Sequence, residues 1–177
     1  MAAMDFSLPD LFDANEGLLS AADAIFRDFG GASAFGGPIR TVKCHEDNSL
    51  VAARLREPGE GGVLVVDGGG SLRCALVGDN LVAAAIDNGW AGIVVYGCVR
   101  DVNELADMPL GVKALASNPL RSTKRDTGER DLAVSFAGVR FVPDAWGIRR
   151  CERHRGNANG IVAAELRRSF ELQAQDP

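Results

Sequence analysis

Arg100 and Asp101 stand side by side just after the apolar run Ile93-Val94-Val95-Tyr96, and Gly78-Asp79-Asn80-Leu81 opens a segment of small residues before that run. The arginine offers a planar donor fork suited to a carboxylate or a polarised carbonyl. Asp101 is a hard oxygen donor, and a single carboxylate with several waters is a common way to hold Mg²⁺. A Gly-Asp-Asn turn at a helix start presents backbone N–H groups to an anion. Gathered in one crevice, these groups would suit a small 2-oxo acid. The competing reading is a plain surface ion pair, which adjacent opposite charges often form.

Other constellations carry less. Asp67-Gly68-Gly69-Gly70-Ser71 leaves an apolar run as a glycine-rich loop, but the G-x-G-x-x-G spacing fails and no G-x-x-x-x-G-K-[ST] occurs. Its glycines fit a close approach of backbone to a small ligand. Cys44-His45 and the C-x-x-H pair Cys151/His154 do not assemble into the four ligands of a structural zinc site. Two histidines, neither beside a nucleophile motif, give no Ser/His/Asp triad. Arg149 to Arg155 is locally basic, as a solvated loop often is. Lys113 and Lys124 would matter only for a Schiff-base mechanism.

The elements that must position the first set follow from periodicity. Leu81 to Asp87 reads as a helix stopped by Asn88-Gly89. Ile93 to Tyr96 has the composition of a buried strand, so Arg100-Asp101 falls at a carboxyl end, where α/β sheets place ligands. Val63 to Val66 reads as a central strand, and Val112 to Ala116 as another. Ile39 to Cys44 alternates as a half-buried strand, preceded by a turn at Phe35-Gly36-Gly37-Pro38. A helix spans Leu50 to Arg56, capped by Asn48 or Ser49, and a short one spans Val102 to Met108. Residues 5–29 read as one or two amphipathic helices, since Leu18, Leu19, Ala22, Ile25, Phe26 and Phe29 recur near the helical period. Asn118 to Asp131 is a polar loop. Val134 to Phe136 and Val139 to Val142 form a hairpin around Ala137-Gly138. Residues 161–164 read as a last strand and Glu165 to Gln173 as a terminal helix. Strands separated by helices indicate an α/β core with a mixed sheet.

Composition sets the bounds. The 177 residues suffice for one domain with a real core, and the hydrophobic and charged fractions, 46% and 24%, are ordinary for a soluble protein. A net charge of −5 gives no overall nucleic-acid footprint. No apolar run is long enough to span a membrane. The acidic N-terminus has no secretory h-region, and four unpaired-looking cysteines suit a reducing, cytoplasmic setting.

Several longer motifs resemble the RraA-like family: F-G-G-A-S-A-F-G-G-P-I-R-T-V-K-C-H-E-D-N (29–48), V-L-V-V-D-G-G-G-S-L-R-C-A-L-V-G-D (63–79), the Y-G-C-V-R-D segment ending at Asp101, and N-P-L-R-S-T-K-R-D-T-G-E-R-D (118–131). The resemblance covers about residues 25–143 and treats 1–177 as a single domain with an atypical end at 144–177. That family contains regulators of ribonuclease E and class II 4-hydroxy-4-methyl-2-oxoglutarate aldolases. It implies an α/β/α sandwich around a mixed, mainly parallel sheet, assembled as a homotrimer or hexamer with the site between subunits. In the aldolases the G-D-x-L turn, here Gly78, Asp79, Asn80 and Leu81, binds the pyruvyl carboxylate. Arg100 matches the substrate-contacting arginine, and Asp101 the ligand of Mg²⁺ or Mn²⁺. The implied activity is metal-dependent cleavage to pyruvate with oxaloacetate decarboxylation beside it; the base is a water held by carboxylates, or Asp79 as the candidate side chain. Non-catalytic regulators tend to lack the G-D turn and the metal-binding Asp, which this chain keeps. After Pro143 it departs: Asp144 follows without the usual Gly, and Gly156-Asn157-Ala158-Asn159-Gly160 comes only after a basic stretch from Trp146 to Arg155.

Overall fold

The computed structural model describes residues 13, 17, 19–150 and 161–164, the side chains of 147–150 and 162–164 excepted. In chain order the strands are β1 (Leu19–Ala21), β2 (Arg27–Asp28) and β3 (Ala34–Lys43), followed by helix α1 (Ser49–Leu55). Then come β4 (Val63–Asp67), β5 (Ala75–Val77), α2 (Asp79–Asp87), β6 (Gly92–Val99), α3 (Val102–Asp107) and β7 (Gly111–Ser117). The chain continues through β8 (Glu129–Arg130), β9 (Val134–Phe136), β10 (Val139–Phe141), β11 (Trp146–Arg150) and β12 (Val162–Ala164).

Ten strands form one mixed sheet along the path β1-β12-β11-β3-β4-β6-β7-β2, with β5 beside β6 and β8 beside β3. The centre, β3-β4-β6-β7 with β5, is parallel, and the flanking pairs are antiparallel. Alternation along the central strands divides the core in two. Leu64, Val66, Ile93, Val95, Val112 and Ala114 face the helices, meeting Val51, Leu55, Val82, Ala85 and Leu105. Val63, Val65 and Val94 face the other way, against Phe26, Phe35 and the β9-β10 hairpin. There Tyr96 and Phe136 stack with ring centroids 4.7 Å apart.

The α/β class and mixed sheet match the expectation, and the hairpin is in register around Ala137-Gly138. Both turn residues have positive φ, 51° and 74°, which a two-residue hairpin turn of this hand requires. Three assignments are corrected. Residues from Leu19 to Phe29 are not helical: Leu19 pairs with Ala164 in β12, Arg27 with Ala114 in β7, and Phe26 is buried among the aromatics. Sheet pairing overrides the helical spacing there. The turn expected at 35–38 is part of β3, because β11 pairs along it and the Phe35 ring lies against Gly92 and Gly111. The basic stretch after Ala145 supplies β11, a full sheet strand rather than a loop, as far as Arg150. Asp144 takes φ 65° just ahead of it and ion-pairs with Arg40. The terminal helix, Cys151 and His154 lie outside the described residues.

Candidate active site

Two parallel strands set the site's frame. β5 lies beside β6, and Arg100 N–H donates to Val77 O at 2.9 Å, so Gly78 and Arg100 leave their strands together. Asp101 takes a left-handed conformation, φ 55° and ψ 45°, as the N-cap of α3. The turn folds its carboxylate back against Gly78: a Cβ on that glycine would come within 2.6 Å of Asp101 Oδ2 and 3.0 Å of Arg100 Cγ. Gly78 itself has ordinary extended backbone, φ −135°, so the need for glycine there is proximity rather than torsion.

Asp101 Oδ2 accepts the Asp79 N–H at 3.4 Å, and Arg100 Nε sits 3.1 Å from both carboxylate oxygens. Burial alone would raise the Asp101 pKa. The hydrogen bonds from Arg100 and the Asp79 backbone outweigh it and hold the carboxyl below its ordinary value. Asp79 turns its own Oδ1 onto the Asn80 N–H at 2.7 Å and Asn80 Nδ2 at 3.0 Å. The first N–H groups of α2 are therefore already on carboxylates, which differs from the open anion cradle expected of the turn. An incoming carboxylate must displace the Asp79 side chain to reach Asn80 N–H.

All six residues singled out in the sequence, Gly78, Asp79, Asn80, Leu81, Arg100 and Asp101, line one cleft of about 580 Å³ at the carboxyl ends of β5 and β6. Sequence reasoning missed the opposite wall. Asn48, Ala52 and Arg56 come from the N-cap, middle and C-cap of α1, and Arg121, Ser122 and Lys124 from the polar loop. With Arg100 this puts four cationic side chains against two carboxylates, in a chain of net charge −5. The clustering of Arg121, Lys124 and Arg125 was the available signal.

Asp47 holds that loop in place. It is 1% exposed; Oδ1 accepts Ser49 N–H at 2.8 Å, and Oδ2 accepts Arg125 N–H at 2.7 Å and the Thr127 hydroxyl at 2.9 Å. Its burial favours the neutral form, yet the bonds from Ser49, Arg125 and Thr127 hold its pKa far below the usual carboxylate range. Asn48 is the N-cap of α1, as expected, but its side chain makes no capping bond; the Asp47 carboxylate accepts the Ser49 N–H instead. Glu46 adds to the hold: its carbonyl accepts from Thr123, and its carboxylate accepts from Ser71 and Arg73 at 2.6 Å each.

No group of three His, Cys, Asp or Glu side chains converges as a metal centre among the described residues. Asp101 and Asp79 are the cleft carboxylates that could hold a cation, and their hard oxygens suit Mg²⁺ or Mn²⁺ with water completing the shell. Cys44 is buried, with its thiol pushed up to about 12 by burial first and by Asp47 and Asp67 next, so it offers no thiolate. Lys113 is fully buried in the row facing the hairpin, 3.5 Å from Asp28, away from the cleft. Lys124 is the lysine that lines it.

Known proteins resemble this chain over most of its length. A protein of Alkalilimnicola ehrlichii is 57% identical over 143 residues, covering 81% of this chain and 89% of its own length. One from Xanthomonas campestris pv. campestris is 49% identical over 169 residues, covering 96% and 97%. Both carry the provisional name 4-hydroxy-4-methyl-2-oxoglutarate aldolase. The solved structure of the RNA-processing inhibitor RraA from Thermus thermophilis superposes with a TM-score of 0.84 at 40% identity, covering 91% of this chain and 93% of that one. The model of the RraA-like family, described as Aldolase/RraA, matches residues 8–148, and the chain belongs to that family.

Proposed function

We propose that this protein is a lyase that cleaves 4-hydroxy-4-methyl-2-oxoglutarate or a close analogue to pyruvate, depends on a divalent cation, and decarboxylates oxaloacetate at the same site. The observation that carries the reading is the meeting of Arg100 and Asp101 with the start of α2 in a cleft whose far wall is cationic. A neutral or monoanionic ligand would leave Arg56, Arg121 and Lys124 without a purpose there; a dicarboxylate uses them.

The chemistry follows from the residues. The Asn80 N–H, at the positive end of α2, receives the carboxylate next to the oxo group, while the Leu81 N–H stays on Gly78 O at 3.1 Å. Arg100 donates to the oxo oxygen and stabilises the negative charge that develops on it as the C3–C4 bond breaks. Arg56, Arg121 and Lys124 hold the distal carboxylate and orient the scissile bond. Asp79, displaced from Asn80 by the incoming carboxylate, takes the proton of the C4 hydroxyl, directly or through a water. Asp101, with Asp79 nearby, would hold Mg²⁺ or Mn²⁺, which when bound supplies charge that polarises the 2-oxo group. Oxaloacetate loses its own carboxylate to reach the same pyruvate enolate, so both reactions draw on Arg100.

The test is pyruvate release from 4-hydroxy-4-methyl-2-oxoglutarate and from oxaloacetate, with Mg²⁺ and after EDTA. Release that EDTA abolishes and Mg²⁺ restores supports the reading. A second reading, a non-catalytic regulator of ribonuclease E or a related RNA-processing partner, is favoured by the name of the Thermus relative. It predicts no pyruvate under any metal and retention of the ribonuclease in a pull-down.

A further inference from the structure

We propose that Asn48 and Ser122 form a subsite for the substrate's C4 hydroxyl, so that they distinguish an aldol substrate from a plain 2-oxo acid; this rests on the aldolase reading above. Asn48 Nδ2 donates to Leu76 O at 3.1 Å, which fixes the amide and leaves Oδ1 as the presented acceptor. Asn48 Oδ1 and Ser122 Oγ are both buried and have no hydrogen-bond partner among the described residues, and both residues line the cleft. The bridge between Asp47 and Thr123, their chain neighbours, brings them to the same wall.

Buried polar atoms without a protein partner are uncommon, and two on one cleft wall are open to a ligand group that takes the place of water there. The chemistry of that group is constrained. Carboxylate and oxo oxygens only accept, so they cannot satisfy Asn48 Oδ1. A hydroxyl can: its O–H donates to Oδ1 while its oxygen accepts from Ser122 Oγ. The C4 hydroxyl is the one such group on 4-hydroxy-4-methyl-2-oxoglutarate, and oxaloacetate in its keto form has none. The subsite binds the hydroxyl and fixes the C4–O bond; the O–H then rotates about that bond onto Asp79 or its relaying water, which takes the proton, and Asn48 takes none. A site built to hydrogen-bond a hydroxyl discriminates against analogues that lack it.

The experiment compares the wild type with Ser122→Ala and Asn48→Ala, all with saturating Mg²⁺, on both substrates. Ser122→Ala removes a hydroxyl that no described protein group uses, so its melting temperature should not fall. Its ratio of kcat/KM for the hydroxylated acid to kcat/KM for oxaloacetate should drop about tenfold, the loss of one ordinary hydrogen bond. Asn48→Ala should shift the ratio the same way, whatever it loses in stability with the Leu76 bond. If neither variant changes the ratio, the subsite is overturned while the aldolase reading stands. If the wild type leaves the hydroxylated acid intact, both fall together.

Discussion

Gly78 and Arg100 show how closely the site is built at the level of single side chains. An alanine at Gly78 would press its Cβ onto Asp101 Oδ2, so Gly78→Ala should shift that carboxylate while leaving backbone torsion unstrained. The expected result is a folded protein whose kcat/KM falls at least about tenfold, since small displacements at a reacting centre are expensive. Arg100→Lys keeps the charge and loses the fork; kcat should fall about a hundredfold, as when an oxyanion donor is removed. Steady-state kinetics beside a melting curve check both. Arg100, Asp101 and the Gly-Asp turn were legible because motif and strand end coincide in the sequence. Asn48, Arg56, Arg121 and Ser122 were not, since nothing local says that a loop after β7 returns to α1.

At the level of elements, Asp47 ties the loop carrying Arg121, Ser122 and Lys124 to the start of α1. Asp47→Ala leaves the Ser49, Arg125 and Thr127 donors without their acceptor and should cost about 2–4 kcal/mol. Its pKa is depressed in the folded state, so its stabilisation is present above the unfolded value, near about 4, and is lost as pH falls below that. Denaturant titrations from pH 6 down to pH 2 should therefore show a steeper acid loss in the wild type than in Asp47→Asn. The hairpin turn offers a change of the opposite sign. Ala137 sits at φ 51°, which asparagine tolerates better, and Ala137→Asn should stabilise by about 0.5–1 kcal/mol in chemical denaturation. The central strands were legible from their unbroken apolar runs. β1 and β2 were not, because their spacing mimics a helix and only pairing with β12 and β7 makes them strands.

At the scale of the whole molecule, Leu120 is 63% exposed and Leu72 53%, on neighbouring segments, with Asn118 Nδ2 bonded to Leu72 O. The chain's family and this exposed pair lead us to expect a trimer or larger assembly. Sedimentation equilibrium at micromolar concentration should give at least three times the chain mass of 18.7 kDa, and a stable monomer would count against it. No helix among the described residues is long and apolar enough to cross a membrane.

The central claim is that Asp101 serves catalysis through a cation rather than as half of a surface ion pair. Asp101→Asn keeps size and shape and removes the charge. The decisive measurement is the Mg²⁺ dependence of pyruvate release from 4-hydroxy-4-methyl-2-oxoglutarate, wild type against Asp101→Asn, with melting curves for both. The account predicts a melting curve within about 1 kcal/mol of the wild type. It also predicts a turnover loss of about a hundredfold or more at modest Mg²⁺, reflecting the several kcal/mol a bound cation supplies. Near-wild-type turnover and an unchanged Mg²⁺ requirement in Asp101→Asn would contradict it.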